Sequence, residues 1–132
     1  MAKVVQLPII VTHNVKVVEH ENVSYVRTRD IADALGVKQP FEFTSDIRET
    51  LGGQVVLNGE DTKDFRSGTD NARTPYVKVS DMIKFLEQGI INHRTNGTRK
   101  DVIAVLQAYM KPLIIIFIIF YLRSLYLNYN IS

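Results

Sequence analysis

Cysteine and tryptophan are both absent from this 132-residue chain. Without Cys there is no disulfide, no thiolate zinc site and no cysteine nucleophile, and an intracellular setting is the natural expectation. Without Trp, six Tyr and six Phe supply the aromatic part of a modest core. An excess of one charge is also lacking. Sixteen Lys and Arg stand against fourteen Asp and Glu, and the resulting +2 permits a nucleic-acid partner without arguing for one. Residues 1–8 contain a single Lys and no long apolar run, so no secretory signal is expected. What remains is ordinary globular composition, 45% hydrophobic and 23% charged, which excludes global disorder. The length suits one compact domain.

Signals for catalysis are equally sparse. His13, His20 and His93 are scattered and share no metal-ligand spacing. His20, between Glu19 and Glu21, reads as part of a solvated hairpin tip. There is no phosphate-binding glycine loop, no nucleophile elbow and no zincin motif. The carboxylates are dispersed, as on solvated faces. The expectation is a non-enzymatic protein with no cofactor and no metal.

The sharpest internal boundary lies at Lys111–Pro112. All fifteen Val, all six Ala and all fourteen acidic residues precede it, whereas ten consecutive apolar residues, Leu113–Leu122, follow. The chain therefore divides into a body, 1–111, and an apolar tail, 112–132. The apolar run is about half the ~20 residues that a bilayer-spanning helix needs. Extending it to Ile131 encloses Arg123, so membrane contact is not expected. Packing on the body or on a second subunit, and a non-native ending, are the other two readings of this tail.

Within the body, Val4–Thr12, interrupted by Pro8, reads as an edge strand. Two runs rich in β-branched residues, Val15–Val18 and Val23–Val26, flank a polar tetrad and read as a hairpin. Thr28 is placed to cap a first helix with Ile31, Ala32 and Leu35 on one face, ended by Gly36. Pro40 opens a second helix whose face is Phe43, Ile47 and Leu51, stopped by Gly52 and Gly53. A short strand, Gln54–Leu57, is followed by the turn pair Asn58–Gly59 and a polar loop or hairpin tip, Glu60–Thr74. Pro75–Val79 reads as a strand. Ser80 is placed to cap a third helix bearing Met82, Ile83, Leu86 and Ile90, broken over Asn92–Gly97. Thr98 and Asp101 make a capping-box-like start for a fourth helix, which Pro112 is expected to end. Strands, two helices, strands and two helices again define an α+β domain with a small antiparallel sheet and about four short helices.

The segment Thr28–Pro40 meets the steric demands of a helix-turn-helix: Ala32 permits close approach, Gly36 makes the corner, and Leu35 and Val37 seal it. Its second half departs from the usual pattern, with Glu42 and Ser45 where apolar anchors belong. Two small helices that simply pack on a sheet are the alternative. Between Arg27 and Arg48 four basic residues offset four acidic ones, so the pair carries no net electrostatic pull. His93–Lys100, by contrast, has three permanent positive charges and no acid. It is either a phosphate-contacting loop or a solvated connection. Lys38, Gln39 and Arg48 on the helix pair, and Arg94, Arg99 and Lys100 beyond it, are the candidate DNA-contacting residues.

The run Tyr25–Pro40 (YVRTRDIADALGVKQP) resembles the signature of the Bro amino-terminal domain, found in phage antirepressors and in repeated proteins of large DNA viruses. Tyr76–Leu86 is similar to that family's second strand-into-helix stretch, and the helix beginning at Arg99 corresponds in position to its closing helix. Gln39 stands where the family more often holds Asn or Asp. The resemblance spans about residues 15–110 and implies a Bro-type fold with DNA binding in a transcriptional regulator. A module that captures a repressor protein without DNA, and a homo-oligomer, are the partner alternatives.

Overall fold

The computed structural model describes residues 3–10, 13–88 and 97–131. Five strands, β1 (Lys3–Ile10), β2 (His13–His20), β3 (Val23–Arg27), β4 (Val56–Leu57) and β5 (Tyr76–Lys78), form one antiparallel sheet in the order β1-β2-β3-β5-β4. Four α-helices accompany it: α1 (Thr28–Leu35), α2 (Pro40–Leu51), α3 (Val79–Gln88) and α4 (Arg99–Ile131). The α+β class read from the order of elements is the observed one. Pro8 lies on the edge strand, where its missing N–H costs no central ladder bond.

The β2–β3 hairpin closes more tightly than the polar tetrad suggested. Glu19 and His20 remain in the ladder opposite Ser24 and Val23. Only Glu21 (φ 51°) and Asn22 (φ 66°) turn, both left-handed, as a two-residue hairpin that matches strand twist requires.

Alternation along β2 divides the interior in two. Val15 and Val17 join Val26, Val77 and the apolar faces of the helices in the larger core. Val18 points the other way, into a smaller cluster with Tyr76 and Phe65, flanked by Tyr25 and Leu57. One sheet face is thus covered by helices and the other by the 58–75 segment. That segment, of which Glu60–Thr74 is expected as a polar loop or hairpin tip, is a covering layer with one short 3-10 turn, Gly59–Thr62, within it, while another, Gly53–Val55, precedes β4. Phe65 is its plug, with ring centroids 4.7 Å from Tyr25, 5.2 Å from His20 and 5.6 Å from Tyr76. Burying such a side chain stabilises by about 1.5–3 kcal/mol.

The α1–α2 corner forms as its sequence dictates. Gly36 is left-handed (φ 76°), and the Val37 N–H reaches back to the Ala32 carbonyl at 2.9 Å, closing the helix end. Ala32 is fully buried in the core shared with Phe43 and Ile47 of α2. Pro40 occupies the first turn of α2. Thr28 does not cap α1, however. It is the first helical residue, wholly buried, its N–H bonded to the Pro75 carbonyl at 3.1 Å and its hydroxyl without a hydrogen-bond partner. Helix α3 likewise begins at Val79, so Ser80 lies inside it. Met82, Phe85 and Leu86 are its buried residues, while Ile90 lies outside the described residues.

Helix α4 begins where expected but does not stop at Pro112. Val102, fully buried, donates its N–H to the Thr98 carbonyl, and Leu106 is also fully buried. The Tyr109 hydroxyl donates to the Glu19 carboxylate on β2. Helical backbone then runs on through Pro112 to Ile131. Proline removes one N–H and disfavours a helix interior by ~3 kcal/mol, a bias that the continuing helix overrides here. Side chains 121–126 are exposed, including Tyr121, Leu122, Leu125 and Tyr126, so this part of the tail does not pack on the body. Among the described residues, no helix is long and apolar enough to cross a membrane.

Candidate nucleic-acid interface

Sheet alternation that sends Val15 and Val17 into the main core sends Lys16 between them to the opposite face, under the covering segment. Only 1% of Lys16 is exposed. Its ammonium, with three donors, lies within hydrogen-bond distance of four acceptors: the Phe65 carbonyl (2.6 Å), Ser67 Oγ (2.8 Å), Tyr76 Oη (2.7 Å) and Asp70 Oδ2 (2.9 Å). Asp70, whose side chain is fully enclosed, also accepts from the Tyr76 hydroxyl at 2.5 Å and from Arg27 Nη1 at 2.7 Å. A second carboxylate, Asp30 in the first turn of α1, accepts from the Lys16 amide (2.8 Å) and from Arg27 Nε (3.0 Å). Two cations and two anions close on one another, which is how buried charge is tolerated. Burial alone would raise the Asp70 carboxyl. Hydrogen bonds from Tyr76, Lys16 and Arg27, with the charge of Arg27, hold it well below the usual carboxylate range. The Tyr76 hydroxyl is pushed up by burial and by the adjacent carboxylate.

This network faces outward through Arg29. Its Nη2 donates to Thr69 Oγ1 at 2.8 Å and to Asp70 Oδ1 at 3.2 Å, and the side chain remains 33% exposed. Arg29 lines a surface cleft of about 380 Å³ between one face of α2 and the end of the covering segment. Pro40, Phe41, Thr44 and Arg48 come from α2, and Asn71, Arg73, Thr74 and Pro75 from the segment. Phe41, Thr44 and Arg48 are spaced i, i+3, i+7 and so share a helix face. Phe41 is 69% exposed. Three arginines and no acidic residue line this cleft, although Asp70 stands behind Arg29. Guanidinium is the side-chain group best matched to phosphate, and Thr and Asn add neutral donors.

The six sequence-predicted contacts fall in different places. Arg48 lies in the cleft. Lys38 and Gln39 are exposed in the α1–α2 corner, but neither lines the cleft. With its amide oriented nitrogen-inward, Gln39 donates to the Glu42 carboxylate, which holds it to its own helix start. Arg99 and Lys100 open α4, which Thr98 ties to the end of α1 by donating Oγ1 to the Ala34 carbonyl at 2.9 Å. They sit at the corner end of α1, apart from the cleft lining. Arg94 lies outside the described residues.

Arg29, Phe41 and Arg73 were not among the sequence candidates. Counting charge along Arg27–Arg48 gives a neutral helix pair, yet its charges are unequally exposed. Asp30 and Asp46 are buried, while Lys38, Arg48 and Asp33 are exposed and Arg29, Arg27 and Glu42 are partly so. Arg73 lay in a stretch dismissed as polar loop. Comparison with protein-family models, with curated proteins and with solved structures finds no match to this chain.

Proposed function

We propose that this chain is a non-enzymatic DNA-binding regulator of phage or viral origin, acting inside a bacterial or infected host cell. The observation that carries this proposal is the cleft on α2, which Arg29, Arg48 and Arg73 line together and to which, apart from Asp70 behind Arg29, no carboxylate residue contributes. A polyanion with closely spaced phosphates is the ligand such a surface suits. Helix α2, preceded by a tight glycine corner, presents the face that approaches the duplex. Lys38 at that corner and Arg99 and Lys100 at the start of α4 add outer phosphate contacts. The resemblance of Tyr25–Pro40 to the Bro amino-terminal signature points the same way.

Gel-shift titration across salt tests this. Each phosphate contact contributes about 0.9 to the slope of log affinity against log salt. Removing Arg48 and Arg73 together should lower the slope by about 1.8 and weaken binding on every duplex sequence. A flat salt response of the unaltered chain, or an unchanged slope in R48A/R73A, overturns the proposal.

Capture of a protein partner is the second possibility, favoured by one feature. Tyr121, Leu122, Leu125 and Tyr126 are exposed together on α4, an apolar surface of the kind that marks interaction sites. Pull-down with a resident repressor in the absence of DNA separates the two. Retention that survives R48A/R73A but not L122E/Y126E assigns the activity to protein capture.

A further inference from the structure

We infer that Asp70 is a positioning residue for the cleft: anchored from behind by Lys16, Tyr76 and Arg27, its carboxylate aims the Arg29 guanidinium toward bound phosphate and fixes the segment that carries Arg73. This deepens the DNA-binding proposal and rests on it.

Three observations converge. First, Asp70 divides its two oxygens between inside and outside. Oδ2 takes Lys16 and Tyr76 from the interior, and Oδ1 takes Arg27 at 2.7 Å and Arg29 at 3.2 Å. Second, Arg29 spends only Nη2 on Asp70 and Thr69, which leaves the Nε and Nη1 hydrogens as donors to a ligand. A planar guanidinium held at one nitrogen presents its other donors in defined directions, and the ordering entropy is lost before the ligand arrives. Third, Asn71, Arg73 and Thr74 follow Asp70 directly in sequence and all line the cleft. They are pinned in turn: the Asn71 N–H donates to Thr74 Oγ1 (3.0 Å) and the Arg73 N–H to Asn71 Oδ1 (2.8 Å). One buried carboxylate therefore orients one cleft arginine through a hydrogen bond and a second through the chain. Internal charge matches as well. Lys16 and Arg27 balance Asp30 and Asp70, which leaves the charge of Arg29 for the ligand.

Positioning and simple electrostatics predict opposite signs. Removing a carboxylate beside an anion site tightens anion binding if charge alone matters. If Asp70 positions the cleft, its removal weakens binding. Two variants test positioning without changing the net charge of the site. Thr69→Val deletes the outer tether of Arg29 at an exposed position and leaves the core untouched. Lys16→Met with Asp70→Leu replaces the buried ion pair by apolar groups of similar size, an exchange that often preserves folding.

Fluorescence anisotropy with a short labelled duplex at fixed salt should show affinity about fivefold weaker for T69V, as expected for one lost charge-assisted hydrogen bond. For K16M/D70L the expected loss is about tenfold or more, with far-UV circular dichroism unchanged. Equal or tighter binding by a folded K16M/D70L overturns the inference while leaving DNA binding intact. If the double variant does not fold, NMR of the Arg29 guanidinium in T69V decides: slow rotation there, with Asp70 as the remaining tether, supports the inference and free rotation overturns it. Should the unaltered chain bind no duplex, the functional proposal fails separately, and NMR of the Arg29 guanidinium decides the positioning role. Slow rotation that persists in T69V, where Asp70 is the remaining tether, supports it, and free rotation in T69V overturns it.

Discussion

Replacing Asp70 by Asn keeps the shape of the side chain and removes its charge, in a site whose side-chain exposure is 0%. At neutral pH the carboxylate receives Lys16 at 2.9 Å, Arg27 at 2.7 Å and Tyr76 at 2.5 Å. The amide that replaces it turns an N–H₂ toward at least one of these donors and leaves the Lys16 ammonium without its buried counter-ion. Breaking one partner of a buried ion pair costs about 3–5 kcal/mol. Against a total stability of ~5–15 kcal/mol for a domain, that is about a fifth or more of the whole. Urea unfolding followed by far-UV circular dichroism should show the midpoint falling by about 2 M, given a slope of ~1–3 kcal/mol per molar for a small protein. The pH dependence fixes the cause. The Asp70 carboxyl is lowered in the folded state, so its stabilisation is fully present above the unfolded aspartate pKa of ~4 and is lost as pH falls through the folded value. The gap between D70N and the unaltered chain should therefore be widest at neutral pH and narrow as the pH drops below ~4. A variant within about 1 kcal/mol of the unaltered chain at neutral pH, or a gap that stays constant through the acid range, would refute the ion-pair account.

Three further outcomes follow from particular side chains. Thr28→Val replaces a buried hydroxyl that has no partner with a methyl group of the same shape, and should raise stability by about 1 kcal/mol, read from the urea midpoint. Glu21→Asn puts the residue that best tolerates a left-handed backbone where φ is 51°, and should stabilise the hairpin by up to about 1 kcal/mol, seen as a higher melting temperature. Phe65→Ala removes the plug between Tyr25, His20 and Tyr76, and should cost about 3–5 kcal/mol, with near-ultraviolet dichroism of the tyrosines reduced.

Local chemistry made much of the architecture readable. Gly36 and Pro40 punctuate the α1–α2 corner because one supplies the left-handed cap and the other loses no hydrogen bond in a first turn. The spacing of Phe43 and Ile47 marked the face of α2 that is buried. The site was less legible, because its residues come from three segments that only the fold assembles: Arg29 from α1, Phe41 and Arg48 from α2, and Arg73 from the covering segment. A linear tally of charge treats Asp70 as one more solvated acid, since desolvation is a property of what lies on top of a residue and not of its neighbours in sequence. Thr28 misled for a related reason. A hydroxyl at the right offset looks like a cap, yet here the carbonyl of Pro75 claims the backbone N–H, and the helix begins one residue early. Pro112 was read as a stop signal, but the penalty it imposes is finite and α4 absorbs it.

Lys16 and Asp70 are separated by 54 positions, and their contact joins strand β2 to the covering segment. Closing so long a loop is entropically costly and is rewarded only once the receiving surface exists. The arginine-lined cleft therefore exists only where α1, α2 and the covering segment are all in place. On the DNA-binding proposal, a polyanion would meet that surface only on the assembled fold.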